Sequence, residues 1–518
     1  MTDLLPLFSN MDPSLYSTND TSVYSGMDPS VPSSNNSAVL SNTNLTMFSA
    51  ILPVEFKAQL ARQEARARRV AAFRRYADGN HPANMTREMR ELLRVTRNRD
   101  VSNEFNDNYM DIIISSMADR VALRTIETDT DLGTQWASRL LRYNRIAALE
   151  GDIHESTIRD GDTYLMVSYD NDDQMPRFSH ELAYDGVSGV AVFYGSPDIS
   201  RMLAAVKIWN SIEEIEGRAM IVNRCNVYYP DRVERWRMVN GEMTPHVEPG
   251  IDAVQPWTRR DGSPLKVPFI HFRNKGRQNY GISEIRKAVP LQNVLNRLLY
   301  SFVISSELAG FPIRAAFGFS PPATLTPGMW VVVQPGGMLI EEHPPTIQML
   351  NGGDLSQFIS SLSFITQEIG RITRTPAPEF SAADNASGEA LKERQIGLLG
   401  KVKRFIIHAG NAWETAMTLA WDVDSAFGST PPPALSSFVA QFADPELRND
   451  ALTVKNALAV RDLVGDRQTL RFVADVFDLN EDIIERILAE KAADSEMKFN
   501  SIVSSMPIFG DTDEGESL

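Results

Sequence analysis

The chain has 518 residues, 43% apolar and 23% charged, a globular composition long enough for several domains of roughly 100–200 residues each. Its 51 lysines and arginines against 67 aspartates and glutamates leave a net charge of −16, which argues against a protein that reads DNA sequence through a basic surface. The single cysteine, Cys225, excludes a disulfide framework and a cysteine zinc site and points to a reducing compartment. No stretch reaches the roughly 18 uninterrupted apolar residues of a membrane span. The best candidate, Leu298 to Phe319, carries Glu307 and Arg314, and Asp3 sits where a signal peptide would be basic. A soluble chain without a visible secretion signal is expected.

Residues 1–50 are rich in Ser, Asn, Thr and Asp and repeat Met-Asp-Pro-Ser at Met11 to Ser14 and Met27 to Ser30. They bury too little apolar area to offset chain entropy, so this extension is expected to be disordered alone or ordered by a partner. Helical spacing begins at Pro53 and runs to Tyr76, crowded with Arg62, Arg66, Arg68, Arg69, Arg74 and Arg75; the basic stretch continues through Arg87, Arg90, Arg94, Arg97 and Arg99. Three readings stand for it: a solvated helix face, a surface for an acidic neighbouring subunit, or a nucleic-acid face. Asn108 to Ala122 predicts a helix with Ile112, Ile113, Met117 and Val121 on one side. Residues 133–290 read as mixed α and β, with a helix over Trp136 to Arg159 and a strand at Thr163–Tyr169. Asp170-Asn171-Asp172-Asp173 reads as a turn. Further strands are predicted at Gly189–Tyr194, Ala204–Asn210, Asn226–Tyr229, Val233–Val239 and Phe269–Phe272.

Leu291, Val294, Leu295, Leu298, Leu299, Phe302 and Val303 then predict a helix over Leu291 to Ala309, roughly 28 Å long. Residues 310–354 are rich in Pro and Gly, with strands expected at Ile313–Phe317, Met329–Val333 and Met338–Ile340. A second helix starts at Asp354, an N-cap with Gln357 at the capping-box position, and carries Leu355, Phe358, Ile359, Leu362, Ile365, Ile369 and Ile372 as its stripe. Two helices of matched length around a small β insert make a stalk with a head. Thr375 to Ser387 is a loop holding Pro376 and Pro378. Ser387 caps a helix expected to reach Trp421, with Gly397, Gly400 and Gly410 inviting a bend. Beyond Pro431-Pro432-Pro433 come a strand at Ser436–Phe442 and helices at Ala451–Leu463, Arg467–Val476 and Glu481–Ala493. The tail after Asp494 is acidic.

No catalytic pattern stands out. There is no P-loop, and Gly336-Gly337 and Gly352-Gly353 are isolated turn pairs. The seven histidines are scattered, none in a zinc-ligand spacing, and His271 reads as a packed strand residue. Nothing near Cys225 suggests an activated thiolate. Asp170 to Asp173 resembles the start of a calcium loop, but Met175 stands where that loop needs Gly, and the hairpin reading is preferred. Glu341 and Glu342 are adjacent and point apart on a strand. No catalytic residue, metal or cofactor is expected.

Several ordered segments resemble one family, the portal (head–tail connector) proteins of tailed bacteriophages. Arg75 to His81 carries their Y-x-D-G stretch as Tyr76-Ala77-Asp78-Gly79, and Ala118-Asp119-Arg120 resembles the close of the following helix. Val227 to Arg232 and Val267 to Asn274 resemble their wing strands. Tyr280 to Ile285 and Glu307 to Pro312 are similar to the segments bracketing the first stem helix, and Ser387 to Lys392 to the start of the spine helix. The run covers about residues 70–425. The extension 1–50 and the region after 425 depart from the pattern.

The resemblance implies an α+β portal fold: α/β wing, two-helix stem, small β-containing clip, long kinked spine helix and helical crown. On this chain it implies a wing at 51–280, stem helices at 281–309 and 355–374, a clip at 310–354 and a tunnel loop at 375–388. Spine helix and wing return would fill 389–450, the crown 451–495, and an acidic tail 496–518. It also implies a twelve-subunit ring at one capsid vertex of the virion, assembled in the host cytoplasm, through which double-stranded DNA passes without sequence specificity. The partners implied are the terminase motor, the head–tail adaptor, the major capsid protein and a scaffold, with no membrane. Within it, Pro376, Pro378, Glu379, Phe380, Asp384 and Asn385 would line the tunnel loop. Arg286, Lys287, Arg297, Arg371 and Arg374 would either touch DNA phosphates or pair with neighbouring subunits. Phe317, Phe319, Met329 and Trp330 would either anchor partners on the clip or pack it. The competing readings are another virion assembly protein (adaptor, capsid or scaffold subunit) and a carboxylate-dependent hydrolase or nuclease.

Overall fold

Apolar residues at helical spacing form the first long element, α1 (Val54–Ala77), whose Phe56, Leu60, Ala67, Val70, Phe73 and Tyr76 are all buried. The computed structural model describes residues 51–81, 106–195, 201–215, 218–239, 242–247, 250–275, 279–310, 313–317, 330–333, 346–350, 355–376, 388–434, 437–445, 457–473, 483–484 and 486–491. The next helix, α2 (Tyr109–Ala118), is capped by Asn108, whose side chain accepts from the Met110 N–H. It stops four residues short of the expected Ala122, because the chain turns there into strand β1 (Leu123–Thr128).

The single helix expected over Trp136 to Arg159 is two, α3 (Asp131–Tyr143) and α4 (Ile146–Asp160). They part at Asn144, which accepts from the Phe178 N–H at 2.7 Å and donates to the Pro176 carbonyl at 3.0 Å, and at Arg145, which is left-handed at φ 51°. These are tertiary contacts, and the apolar spacing runs on through the break.

Strands β2 (Asp162–Asp170) and β3 (Met175–Leu182) form a hairpin around the acidic tetrapeptide. The Asp170 carboxylate accepts from the N–H groups of Asp172 and Asp173, an Asx turn rather than a calcium loop. A meander follows in sheet order β4 (Gly189–Tyr194), β5 (Met202–Ile215), β6 (Arg218–Tyr228), β7 (Arg232–Val239) and β8 (Glu242–Pro245), with β9 (Val254–Pro256) on β7. The β5–β6 pairing extends from Ala205–Tyr228 to Ile215–Arg218, well past the predicted strand ends, where neither Ser211–Ile215 nor Arg218–Val222 alternates strictly between apolar and polar residues. Strand β10 (Phe269–Arg273) returns beside β2.

A short 3₁₀ turn, Glu284–Lys287, leads into α5 (Val289–Gly310). The insert is a sheet of β11 (Ile313–Phe317), parallel to β12 (Trp330–Val333) and antiparallel to β13 (Thr346–Leu350). The expected strand at Met338–Ile340 lies outside the described residues, and β13 was not anticipated. Helix α6 (Ser356–Thr373) returns against α5, where the Phe302 and Phe358 rings lie 6.3 Å apart; Leu355, not Asp354, precedes its first turn.

Helix α7 (Gly388–Phe427) is one continuous element of 40 residues. The expected kink at its glycines is absent as a break in the helix. Gly397 instead admits the Arg374 side chain, 3.4 Å from where its Cβ would be, and Gly410 admits Phe442 at 3.5 Å. Strand β14 (Phe438–Phe442) pairs with β1.

One apolar core gathers α3, α4, β2, β3, β10, the second half of α7 and β14; another gathers the end of α1, α2, the 3₁₀ turn, α5, α6 and the first half of α7. Two more lie between α1 and the meander. Residues from Glu446 form a separate unit, whose helix α8 (Arg461–Val473) is interrupted at Gly465, φ 80°. That interruption falls between the two helices predicted there. The architecture is α+β.

Buried polar groups on α4 tie the first core together. Glu150 accepts from the Leu123 N–H at 2.7 Å, and the His154 ring accepts from the Trp413 indole N–H at 3.2 Å. Burial pushes the Glu150 carboxyl up to about 7, against the Leu123 N–H that favours its charged form, and pushes His154 down to about 4. The unfolded chain ionises Glu150 at its ordinary value, so that residue's contribution is full in acid and is lost as pH rises toward about 7. Glu150→Gln is therefore expected to raise the melting temperature at pH 8 and leave it nearly unchanged at pH 4. Equal shifts at the two pH values would show that Glu150 is not neutralised in the fold.

Candidate functional site

The paired helices α5 and α6 meet the body of the protein at one crowded root. Asp162, at the start of β2, lies buried there. Its Oδ2 takes a salt bridge from Arg66 of α1 at 2.5 Å, while its Oδ1 accepts from the His271 ring and the Gly281 N–H, both at 2.6 Å. Burial alone would raise this carboxyl, but Arg66 and His271 outweigh it and hold it well below the carboxylate range. Burial keeps the His271 imidazole low, and its other nitrogen bonds the Tyr194 hydroxyl. The Arg66 guanidinium stacks on the Tyr280 ring, 3.8 Å from its centroid.

Gly281 passes so close to Gly161 that a Cβ would lie 1.9 Å from the Gly161 carbonyl oxygen. Three residues on, Glu284 is buried between Lys275 at 2.5 Å and Lys401 of α7 at 3.4 Å. Burial opposes its charge, but Lys401 and Lys275 hold it below its ordinary value. Lys401 also donates to the Thr373 carbonyl at 2.6 Å, at the end of α6. That carbonyl has no partner within its own helix, and Lys401 satisfies it. Thus one charged cluster joins the first turn before α5, the last turn of α6 and the middle of α7. Sequence reasoning missed it. Glu284 fell inside a recognised segment, but nothing local to Lys401 signals a partner more than a hundred residues away.

The cations singled out in the sequence fall around this root. Arg286 and Lys287 end the 3₁₀ turn, Arg371 and Arg374 end α6, and Arg297 lies further along α5. Lys287, Arg297, Arg371 and Arg374 are exposed and Arg286 is half-buried. Arg371 is bonded to Glu368 one turn back, at 2.6 Å, and Glu368 raises its pKa. Among the described residues the other four form no ion pair. Pro376 is buried at the start of the following loop. Pro378, Glu379, Phe380, Asp384 and Asn385 lie outside the described residues. Phe317 ends β11 and Trp330 begins β12, while Phe319 and Met329 lie outside the described residues.

The apolar stripe read on α6 is only partly covered. Ile365 and Ile369 are buried, but Ile359 is 59% exposed, and Phe364, off the stripe, is 52% exposed. On α7, Ile396 and Ile407 are 66% and 64% exposed, and their spacing of eleven places them on one face. Cys225 is buried among apolar side chains, which raises its thiol far above the ordinary value. Among the described residues, no group of three His, Cys, Asp or Glu side chains is placed to hold a metal. Among the same residues, no helix is long and apolar enough to cross a membrane.

A family model described as phage portal protein, SPP1 Gp6-like, matches residues 57–497. The chain belongs to the phage portal protein family. It is similar to the portal protein of Mycobacterium phage D29, 28% identical over 259 residues, which is 46% of this chain and 48% of that protein. It is similar also to the portal protein of Mycobacterium phage L5, 27% identical over 256 residues with the same coverage. The chain thus spans about half the length of the curated relatives it matches. The portal-family match encloses the helical stalk, its charged root and the loop after Pro376, and the resemblance read from the sequence is borne out. No catalytic arrangement was read from the sequence, and the portal family is a structural one.

Proposed function

We propose that this chain is the subunit of a portal ring at one capsid vertex, a conduit for double-stranded DNA during packaging and ejection. The family match over residues 57–497 carries this reading. In these terms the wing is 51–280, the stem 281–309 and 355–374, the clip 310–354 and the tunnel loop 375–388. Spine helix and wing return occupy 389–450 and the crown 451–495. The ring has twelve subunits. Its clip meets the terminase motor during packaging and the head–tail adaptor afterwards, and its wing meets the major capsid protein, with scaffold present during assembly in the host cytoplasm.

Physical observations support the ring. A heterologous interface repeated by rotation closes on itself, and the exposed Ile359, Phe364, Ile396 and Ile407 supply apolar helix faces that need a neighbour. Net charge supports the conduit: a wall that gripped phosphates would hold DNA in a salt-dependent way, whereas −16 per subunit favours sliding. The tunnel loop has Glu379 and Asp384 and no Lys or Arg, which suits steric gating rather than binding. Arg286, Lys287, Arg297 and Arg374 then form a sparse belt toward the backbone phosphates, with Arg371 a weaker member because Glu368 already engages it.

Native mass together with electron-microscope class averages tests the ring: a mass near twelve subunits and top views with a central hole are expected. A compact monomer at high concentration under all assembly conditions would overturn it. Replacing the four belt cations by Gln is expected to leave rings intact and to lower DNA retention in filled heads. Unchanged retention would remove the belt.

A further inference from the structure

Helix α1 treats its arginines in two ways. On its inward side each is matched: Arg66 with Asp162, and Arg74 with Asp160 and Asp185, both at 2.8 Å. On its outward side Lys57, Arg62, Arg68 and Arg75 are exposed and form no ion pair among the described residues. The surface between them is low, floored by Ala58, Ala61 and Ala65 at helical i, i+3, i+7 spacing. In a chain of net charge −16, a row of cations without an ion pair over a smooth helix face is an unpartnered surface among the described residues.

A second helix presents the opposite charge on the same relief. The exposed residues of α4 are Ala147, Ala148, Gly151, Asp152 and Glu155, which fall on one face, and neither acid forms an ion pair among the described residues. A Cβ at Gly151 would meet nothing within 4 Å, so the fold of the subunit itself does not require glycine there. Glycine in an exposed helix interior is less favourable than alanine, and close approach of another backbone is a reason to keep it. Helices whose contact residues are Ala and Gly pack at the short end of the usual range, about 8 Å between axes.

We infer that the cationic face of α1 in one copy docks on the acidic face of α4 in the next copy around the ring. The inference rests on the ring proposed above and deepens it by assigning a subunit contact. The two faces belong to different helices and are complementary in sign, which allows the heterologous contact that rotational closure requires. Its steering is electrostatic, and assembly through it weakens as salt screens the charges.

A charge swap in the full-length chain tests it. Arg62→Glu with Arg68→Glu places like charges opposite each other and is expected to raise the concentration needed for ring closure about tenfold or more, because like charges across a contact suppress association. Adding Asp152→Lys and Glu155→Lys is expected to restore closure, with thermal melts of both variants matching wild type as the control for folding. Two outcomes would overturn the contact: rings formed by the reversed variant at the wild-type concentration, or a well-folded swap that stays unassembled. Intact rings that lose DNA would likewise overturn it and assign the α1 face to nucleic acid. If the wild-type chain forms no ring, the ring reading itself fails. A wild-type ring together with a reversed variant that closes at the wild-type concentration removes only this contact.

Discussion

Asp162→Ala is expected to be among the most damaging single substitutions in the chain. It leaves the buried Arg66 guanidinium without its carboxylate, and it strips a hydrogen-bond acceptor from the His271 ring and the Gly281 N–H. Removing one partner of a buried pair costs about 3–5 kcal/mol, because the remaining charge stays desolvated. Much of a typical domain's net stability is of that size. The expected readout is a large fall in thermal midpoint, or protein recovered only as aggregate. Arg66→Met together with Asp162→Leu is expected to be far milder than Asp162→Ala, since it leaves no unpaired charge behind. Equal damage in both variants would show that packing, not charge pairing, dominates the root. The carboxyl is depressed in the fold, so its contribution is complete above its ordinary pKa and is lost as pH falls through the folded value. Acid should therefore loosen this joint.

Gly281→Ala is the second large effect. The added methyl would sit 1.9 Å from the Gly161 carbonyl oxygen and 2.8 Å from the Asn274 carbonyl oxygen, both backbone atoms that cannot swing aside as a side chain can. The strands and helices behind those carbonyls must shift, and with them the Gly281 N–H bond to Asp162. Expression as an insoluble or strongly destabilised chain is the expected outcome, measured by soluble yield and thermal melt. Gly151→Ala, where the new Cβ meets open space, is the matched control and should raise the melt of the isolated subunit slightly. A well-folded Gly281→Ala variant with a wild-type melt would mean that the 280–284 segment moves freely against β2.

Both effects act at the place where the stem joins the wing in the proposed portal. Helix α5 starts just after Glu284, α6 ends at Thr373, and Lys401 on α7 bonds to both. In that proposal, force along the stem would pass through this charged joint into the wing, and the proposed tunnel loop begins two residues after the Thr373 carbonyl that Lys401 holds.

Local periodicity made much of the fold legible. The helical pattern from Pro53 to Tyr76 places α1, and the stripes of α5 and α6 with a Pro- and Gly-rich insert place the stalk and its head. The Asp170 to Asp173 hairpin was readable because turn chemistry is local. The family, too, was legible, through short segments kept in order along the chain.

What stayed hidden involves partners far apart in sequence. Strand β1 exists because it pairs with β14, about three hundred residues later, and nothing in Leu123–Thr128 alternates strongly enough to reveal it. The break at Asn144 is made by hydrogen bonds to a hairpin more than thirty residues on, while the apolar spacing passes through it undisturbed. Arg66 read as one more arginine in a basic helix, indistinguishable from Arg62 or Arg68. Only the fold set it against Asp162 and left the other two facing out. Helix and turn propensities act over a few residues and are written into the chain directly. Charge pairing and backbone clearance depend on which segments meet, and the tertiary structure alone decided that.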